Sequence, residues 1–136
     1  MDIIYLQDPR LLQWANERLG VRFEEGSCRW VAGLANGSVV FTVVYSRFSL
    51  RNCELTLATD GTKRWATKRT LREIFRTPFK VWGFRRVTFV VRADNHASLD
   101  MLERLGAVWE GRVRLAFEGD VDGVIFGMLK EECRWI

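Results

Sequence analysis

The stretch Arg92-Ala93-Asp94-Asn95-His96-Ala97-Ser98-Leu99-Asp100-Met101-Leu102-Glu103-Arg104-Leu105-Gly106-Ala107-Val108-Trp109-Glu110-Gly111 holds a helix with both ends marked, running directly into a strand. Asn95 is the N-cap, because a short side-chain oxygen there accepts hydrogen bonds from the first free helix amides. Leu99, Leu102 and Leu105 recur at helical spacing and form one inward stripe. Gly106 ends the helix in a left-handed turn that a side chain disfavours.

Outward from this segment, the apolar period changes several times, and a turn signal marks each change. Asp8-Pro9 is a cap followed by proline at the first helical position. It opens a helix through Leu11, Leu12, Trp14, Ala15 and Leu19 that stops at Gly20. Cys28–Ala35 and Ser38–Ser46 flank Asn36-Gly37, whose residues both accept positive φ, which predicts a hairpin. A third strand covers Cys53–Thr59. Leu71, Ile74 and Phe75 share a helical face that Pro78 is expected to terminate. Arg86–Val91 is nearly continuously apolar, which predicts a strand buried on both faces. Ala107–Phe117 and Val121–Leu129 are the last strands, joined through Glu118-Gly119-Asp120. The order is helix, three strands, helix, strand, helix, two strands: an α/β sheet domain over residues 1–136, with helices packed on it.

The composition of the 136 residues, 48% hydrophobic and 28% charged, suits one domain with a real core. A net charge of +4 favours an anionic partner. Cys28, Cys53 and Cys133 are odd in number and lack metal-type spacing, and His96 is the single histidine, so buried thiols and no metal site are expected. Met1-Asp2-Ile3-Ile4-Tyr5 lacks a basic region followed by an apolar run, and no segment approaches the roughly 20 apolar residues of a membrane span. A cytoplasmic location is the expectation.

Charge is concentrated in one region. From Lys63 to Arg86 there are nine lysines and arginines against the single acid Glu73. The segment Lys63-Arg64-Trp65-Ala66-Thr67-Lys68-Arg69 leads from a strand into a helix N-terminus. There, unpaired amides and the positive end of the dipole suit a diphosphate. The same cations would also serve as a solvated basic face.

Asn95-x-x-Ser98, then Glu103-Arg104-Leu105-Gly106, then Glu110-Gly111-x-Val113-Arg114, resembles the back half of the GNAT acetyltransferase superfamily. The stretch from Trp65 to Ile136, with Pro78-Phe79, Arg85-Arg86-Val87-Thr88 and the terminal Gly127-Met128-Leu129-Lys130, is similar to short GNAT-like proteins encoded by bacteriophages. The resemblance implies a mixed, mostly antiparallel sheet flanked by helices, with acetyl-coenzyme A as cosubstrate, an amine as acceptor and the bacterial cytoplasm as location. The family's phosphate turn reads Arg/Gln-x-x-Gly-x-Gly/Ala, and Lys63, Ala66 and Lys68 occupy those three positions here. Neither glycine is present.

The implied coenzyme contacts are the Lys63–Arg69 segment, the Asn95 side chain, Ser98, and the backbone amides of Leu57, Ala58 and Thr59. Those amides would stabilise charge on the thioester oxygen. Acetyl transfer to an amine requires a group that takes the ammonium proton, and Glu54, an acid in an otherwise apolar strand, resembles the base position of some members. Its plain alternative is a solvent-facing strand residue. Ser98 would assist the departing sulfur, or serve only as a backbone hydrogen-bonder. Met101 stands near where many members carry an acidic tyrosine. Tyr45 is a candidate for the acceptor site or for packing, Trp65 for the coenzyme or the core, and Trp135 for an oligomer contact. Direct transfer is implied, with no Cys/His or Ser/His pair for a covalent intermediate.

Two other readings keep the same residues. One is a GNAT-shaped module that binds coenzyme A or a protein without catalysis. The other is a basic nucleic-acid binder using Trp65, Phe75, Phe79, Trp82 and Phe84 for stacking.

Overall fold

The computed structural model describes residues Met1–Ile136. Its elements are β1 (Asp2–Ile4), α1 (Pro9–Leu19), β2 (Arg29–Ala35), β3 (Ser38–Ser46), β4 (Asn52–Thr59), α2 (Lys68–Arg76), β5 (Arg86–Arg92), α3 (His96–Leu105), β6 (Val108–Phe117) and β7 (Val121–Leu129). The strands form one seven-stranded sheet in the order β1-β2-β3-β4-β5-β7-β6. Every neighbouring pair is antiparallel except β4 and β5, because α2 carries the chain back to begin β5 in the direction of β4.

Local chemistry accounts for most of the boundaries. Asp8 Oδ1 accepts from the Arg10 amide at 3.0 Å, and Gly20 ends α1 at φ 66°. Asn36 and Gly37 have φ of 52° and 79°, the double positive φ that a tight hairpin between twisted strands requires. Asn95 Oδ1 accepts from the Ser98 amide at 3.2 Å, and Gly106 closes α3 at φ 101°.

Two layers cover the sheet. α2 and α3 pack on one face over Tyr45, Cys53, Leu55, Val87, Phe89, Phe126 and Met128. On the other face α1 presses Leu11, Leu12 and Ala15 against Trp30, Ala32, Val44 and Ala58. Its contacts are with β3 and β4, so no helix covers the same face of β5–β7. There the Glu110 carboxylate lies over Gly127, where a Cβ would collide with it, and pairs with Arg86 at 2.6 Å. Thr88 donates to Asn52 at 2.9 Å beside them. The Glu110-Gly111 step of the opening stretch therefore has a structural task in this structure.

Three expectations need correction. β1, an edge strand of three residues, is too short to leave a periodicity and escapes sequence reading. β5 is not buried on both faces: Val87 and Phe89 are buried, while Thr88 and Val90 are half-exposed because no helix covers their side. Pro78 does not stop the helix. The chain continues from α2 through a π turn, Thr77–Val81, with the Trp82 amide donating to the Thr77 carbonyl at 3.0 Å.

Proline lacks the amide that the carbonyl four residues earlier would have received. That carbonyl belongs to Ile74, and the Tyr45 hydroxyl donates to it at 2.6 Å from the neighbouring strand. Tyr45 is thus fully buried and no part of an acceptor site, and burial holds its hydroxyl in the protonated, donating form.

All three cysteines are free and buried. No helix is long and apolar enough to cross a membrane.

Candidate active site

β4 and β5 pair at only three positions, Asn52/Arg86, Cys53/Val87 and Glu54/Thr88, and then part. Which backbone groups face the gap follows from alternation along each strand. The Asp60 amide donates to the Val40 carbonyl at 2.8 Å, so the even-numbered residues of β4 point at β3. Leu57 and Thr59 therefore turn their amides into the gap. Ala58 does not: its backbone faces Thr42 of β3, and its side chain is buried against α1. Of the three amides expected at the thioester, two face the gap. The Thr59 carbonyl is taken by the Arg18 guanidinium, leaving its N–H free. On β5, the Ala93 amide bonds to Asp122 on the β7 side, which leaves Val90 facing the gap by the same rule.

A cavity of about 270 Å³ occupies the gap and is lined from both sides of the sheet. On the α2/α3 side its wall includes Leu57, Trp65, Leu71, Asn95, Ser98 and Met101. Toward the opposite face it reaches Leu19, Val21, Thr56, Val90 and Phe117. A second cavity of about 630 Å³ adjoins it on the α2/α3 side, sharing Leu57, Trp65, Leu71, Ser98, Met101 and Leu105. It extends between the Gly61–Ala66 turn and the outer face of α3, ending at Arg104 and Trp135.

The basic turn divides into groups. Lys63, Trp65 and Ala66 line the larger cavity. Trp65 is also 6% exposed and part of the core, so both of its proposed roles coexist. Arg64 turns back to Asp60 at 2.7 Å, and hydrogen bonds from Thr62 and Arg64 pull the Asp60 carboxyl down to about 2. Arg69 donates to the Met1 carbonyl at 2.9 Å, away from the cavity. Thr67 caps α2, its hydroxyl accepting from the Thr70 amide at 3.2 Å. The Lys68 and Arg69 amides have no acceptor within the protein, and they stand at the positive end of the helix dipole. The Lys68 side chain is exposed and does not line the cavity.

Glu54 is the last residue of β4 paired to β5, so it stands where the gap opens, on the face opposite α2 and α3. It does not line either cavity but shares its face with Thr56, which does. Burial raises its carboxyl above the ordinary range, and Arg47, at 3.4 Å, draws it partway back. Ser98 is half-buried and lines both cavities. Asn95 spends its side-chain oxygen on the helix cap and lines the smaller cavity.

Sequence reasoning missed Arg104, Trp135, Val21 and Phe117. Arg104 was legible, since Ala97, Met101 and Arg104 follow one another at helical spacing beside Ser98. The other three reach the cavities from distant elements, and no local pattern marks them. The Trp135 indole donates to the Leu105 carbonyl at 2.9 Å, with Arg134 stacked 4.5 Å from its ring centre. Phe75 and Phe79, expected to stack bases in the nucleic-acid reading, are buried at 1% and 0% exposure.

Solved structures share this architecture. A candidate acetyltransferase aligns over 77% of this chain and 58% of its own, at 27% identity and a TM-score of 0.68. A candidate acetyltransferase from T. thermophilus aligns over 86% and 64%, at 28% identity and 0.67. The chain thus spans less than two thirds of either protein. A chimeric spermidine N-acetyltransferase based on the Vibrio cholerae enzyme aligns over 96% and 97%, at 17% identity and 0.78. No protein-family model matches the chain, and comparison with curated proteins finds no match. The fold is that of the GNAT acetyltransferases, a mostly antiparallel seven-stranded sheet flanked by helices.

Proposed function

We propose that this chain is an acetyl-coenzyme A-dependent N-acetyltransferase of the GNAT superfamily that passes the acetyl group directly to an amine. The observation that carries the reading is the gap between β4 and β5, entered by a cavity whose neighbour runs along the Gly61–Ala66 turn that leads into α2 and its two free amides. Bound coenzyme supplies an acetyl carbon activated by its thioester. The residues present fit such a group. Lys63 and the Lys68 and Arg69 amides hold phosphate charge, and the Lys63 ammonium adds a side-chain contact at a turn that lacks the family's glycines.

The Leu57 and Thr59 amides direct dipoles at the thioester oxygen, where negative charge develops as the amine attacks. Glu54, alone or through a water, takes the proton that the amine must lose, and Ser98 meets the departing sulfur. Balance is simple: one C–N bond forms, one C–S bond breaks, and one proton leaves nitrogen while sulfur departs as thiolate or thiol. Holding both reactants in one passage through the sheet supplies much of the rate.

Thermal melting with and without acetyl-coenzyme A tests the binding half. At 100 times its dissociation constant the ligand should add about 2.7 kcal/mol of stability. Release of free thiol on adding an amine, measured with a thiol reagent, tests the other half. Stabilisation without thiol release for any amine would select the non-catalytic module, the reading favoured by the missing turn glycines. The spermidine N-acetyltransferase among the structural neighbours makes a polyamine one acceptor to test.

Trp135 gives a smaller, separate expectation. It walls the far end of the larger cavity, where the nucleotide end of the coenzyme would lie. Removing an aromatic contact to a base costs about 1–3 kcal/mol, so Trp135→Ala should weaken coenzyme binding by roughly 5- to 150-fold. Trp135→Phe should retain most of the affinity. Calorimetry that finds coenzyme affinity unchanged in Trp135→Ala rules this contact out.

A further inference from the structure

The passage through the sheet has two ends of different chemistry. On the α2/α3 side lie Asn95, Ser98 and, through the adjoining cavity, Lys63 and Arg104. On the other side the lining is Leu19, Val21, Thr56, Val90, Arg92 and Phe117. Arg92 is the single charged residue among the twenty that line the cavity, and no carboxylate is among them.

The Arg92 charge is already committed. Its guanidinium donates to both Asp94 oxygens at 3.0 and 3.2 Å and to the Glu118 carbonyl at 3.3 Å, and it lies 5.7 Å from the centre of the Phe117 ring. The carboxylate that β4 itself presents on this face is Glu54, which pairs with Arg47. The Arg18 guanidinium, which donates to the Thr59 carbonyl at the gap, adds a cation and no carboxylate, and the rest of the lining on this side is apolar apart from Thr56 and Arg92.

Resting on the acetyltransferase reading above, we infer that the acceptor is a monoamine carried on an apolar aryl or alkyl frame, not a polyamine. An apolar frame gains by leaving water against Leu19, Val21, Val90 and Phe117. The same surroundings disfavour the ammonium form, so the nitrogen arrives closer to its neutral, nucleophilic state. It forms the amide as the thioester C–S bond breaks, and its proton leaves toward Glu54. A polyamine brings further ammonium groups that this lining does not pair, and an unpaired buried charge is strongly penalised.

The test is steady-state kinetics of the full chain with acetyl-coenzyme A and either 2-phenylethylamine or spermidine, with coenzyme binding followed separately by thermal shift. The expected kcat/KM for phenylethylamine exceeds that for spermidine by ~10-fold or more, the scale on which apolar pockets discriminate. Val21 is 47% exposed, so Val21→Glu should fold normally. That variant places a carboxylate at the entrance and should narrow or reverse the ratio. Equal or better use of spermidine by the wild type overturns the inference. So does coenzyme binding with neither amine acetylated, or a ratio that Val21→Glu leaves unchanged. Absence of any coenzyme-induced shift instead overturns the acetyltransferase reading itself, and the acceptor assignment with it.

Discussion

Replacing Glu54 with glutamine is expected to lower turnover by ~10²–10⁴-fold, the range a positioned general base contributes, without loosening the fold. The sign of the stability effect follows from the direction of the carboxyl's shift. Burial raises the folded-state value above the unfolded one, so the protonated form is favoured in the native protein. That contribution is fully present below the ordinary carboxylate range and is lost as pH rises through the raised value. At neutral pH the charged side chain is thus a cost to stability, and a neutral isostere removes it. Glu54→Gln should melt at the same temperature as the wild type or somewhat higher, while losing activity.

The pH profile offers a check that a merely structural Glu54 would not satisfy. The acidic limb of kcat/KM should fall above the ordinary carboxylate range, because the base must be ionised to act. Arg47 pulls the carboxyl down, so Arg47→Ala should move that limb further up. A Glu54→Gln enzyme with wild-type turnover would remove Glu54 from the chemistry while leaving the coenzyme site intact.

Tyr45→Ala is expected to cost about 3–5 kcal/mol, as for other large aromatic truncations in a core that cannot collapse. Against a typical total of roughly 5–15 kcal/mol, this is a large fraction. Tyr45→Phe isolates the hydroxyl. It keeps the ring and its edge contact with Trp82 at 5.1 Å, but leaves the buried Ile74 carbonyl without the donor that Pro78 also withholds. That change should cost about 1–3 kcal/mol, the penalty for an unsatisfied buried polar group. Urea denaturation measures both. A neutral Tyr45→Phe would mean that the π turn supplies Ile74 with another donor, and that Pro78 is tolerated for a different reason.

Pro78 also marks where sequence reading reaches its limit. A proline reads as a helix stop because its own ring and missing amide are local facts. Whether the stranded carbonyl finds a donor depends on Tyr45, 29 residues away in sequence along another element. Arg86–Val91 fails in the same way. Its apolar run is visible, but its half-exposed face reflects that α1 packs on β3 and β4 and does not reach across β5. The basic turn is similar in kind: nine cations could be counted, yet only the fold shows Arg64 tied to Asp60 and Arg69 tied to Met1.

What the chain declares unaided is whatever lies within one turn of a helix or one hairpin: the Asp8 and Asn95 caps, the Gly20 and Gly106 ends, the Asn36-Gly37 hairpin, and the order of helices and strands after β1. Each depends on the conformational and hydrogen-bonding preferences of adjacent residues. The parting of β4 from β5, the passage lined from both faces of the sheet, and the arrival of Val21, Phe117 and Trp135 at its walls were decided only by tertiary packing. These depend on which backbone groups remain unpaired once the sheet has formed, and pairing across a sheet joins residues that no sequence window contains together.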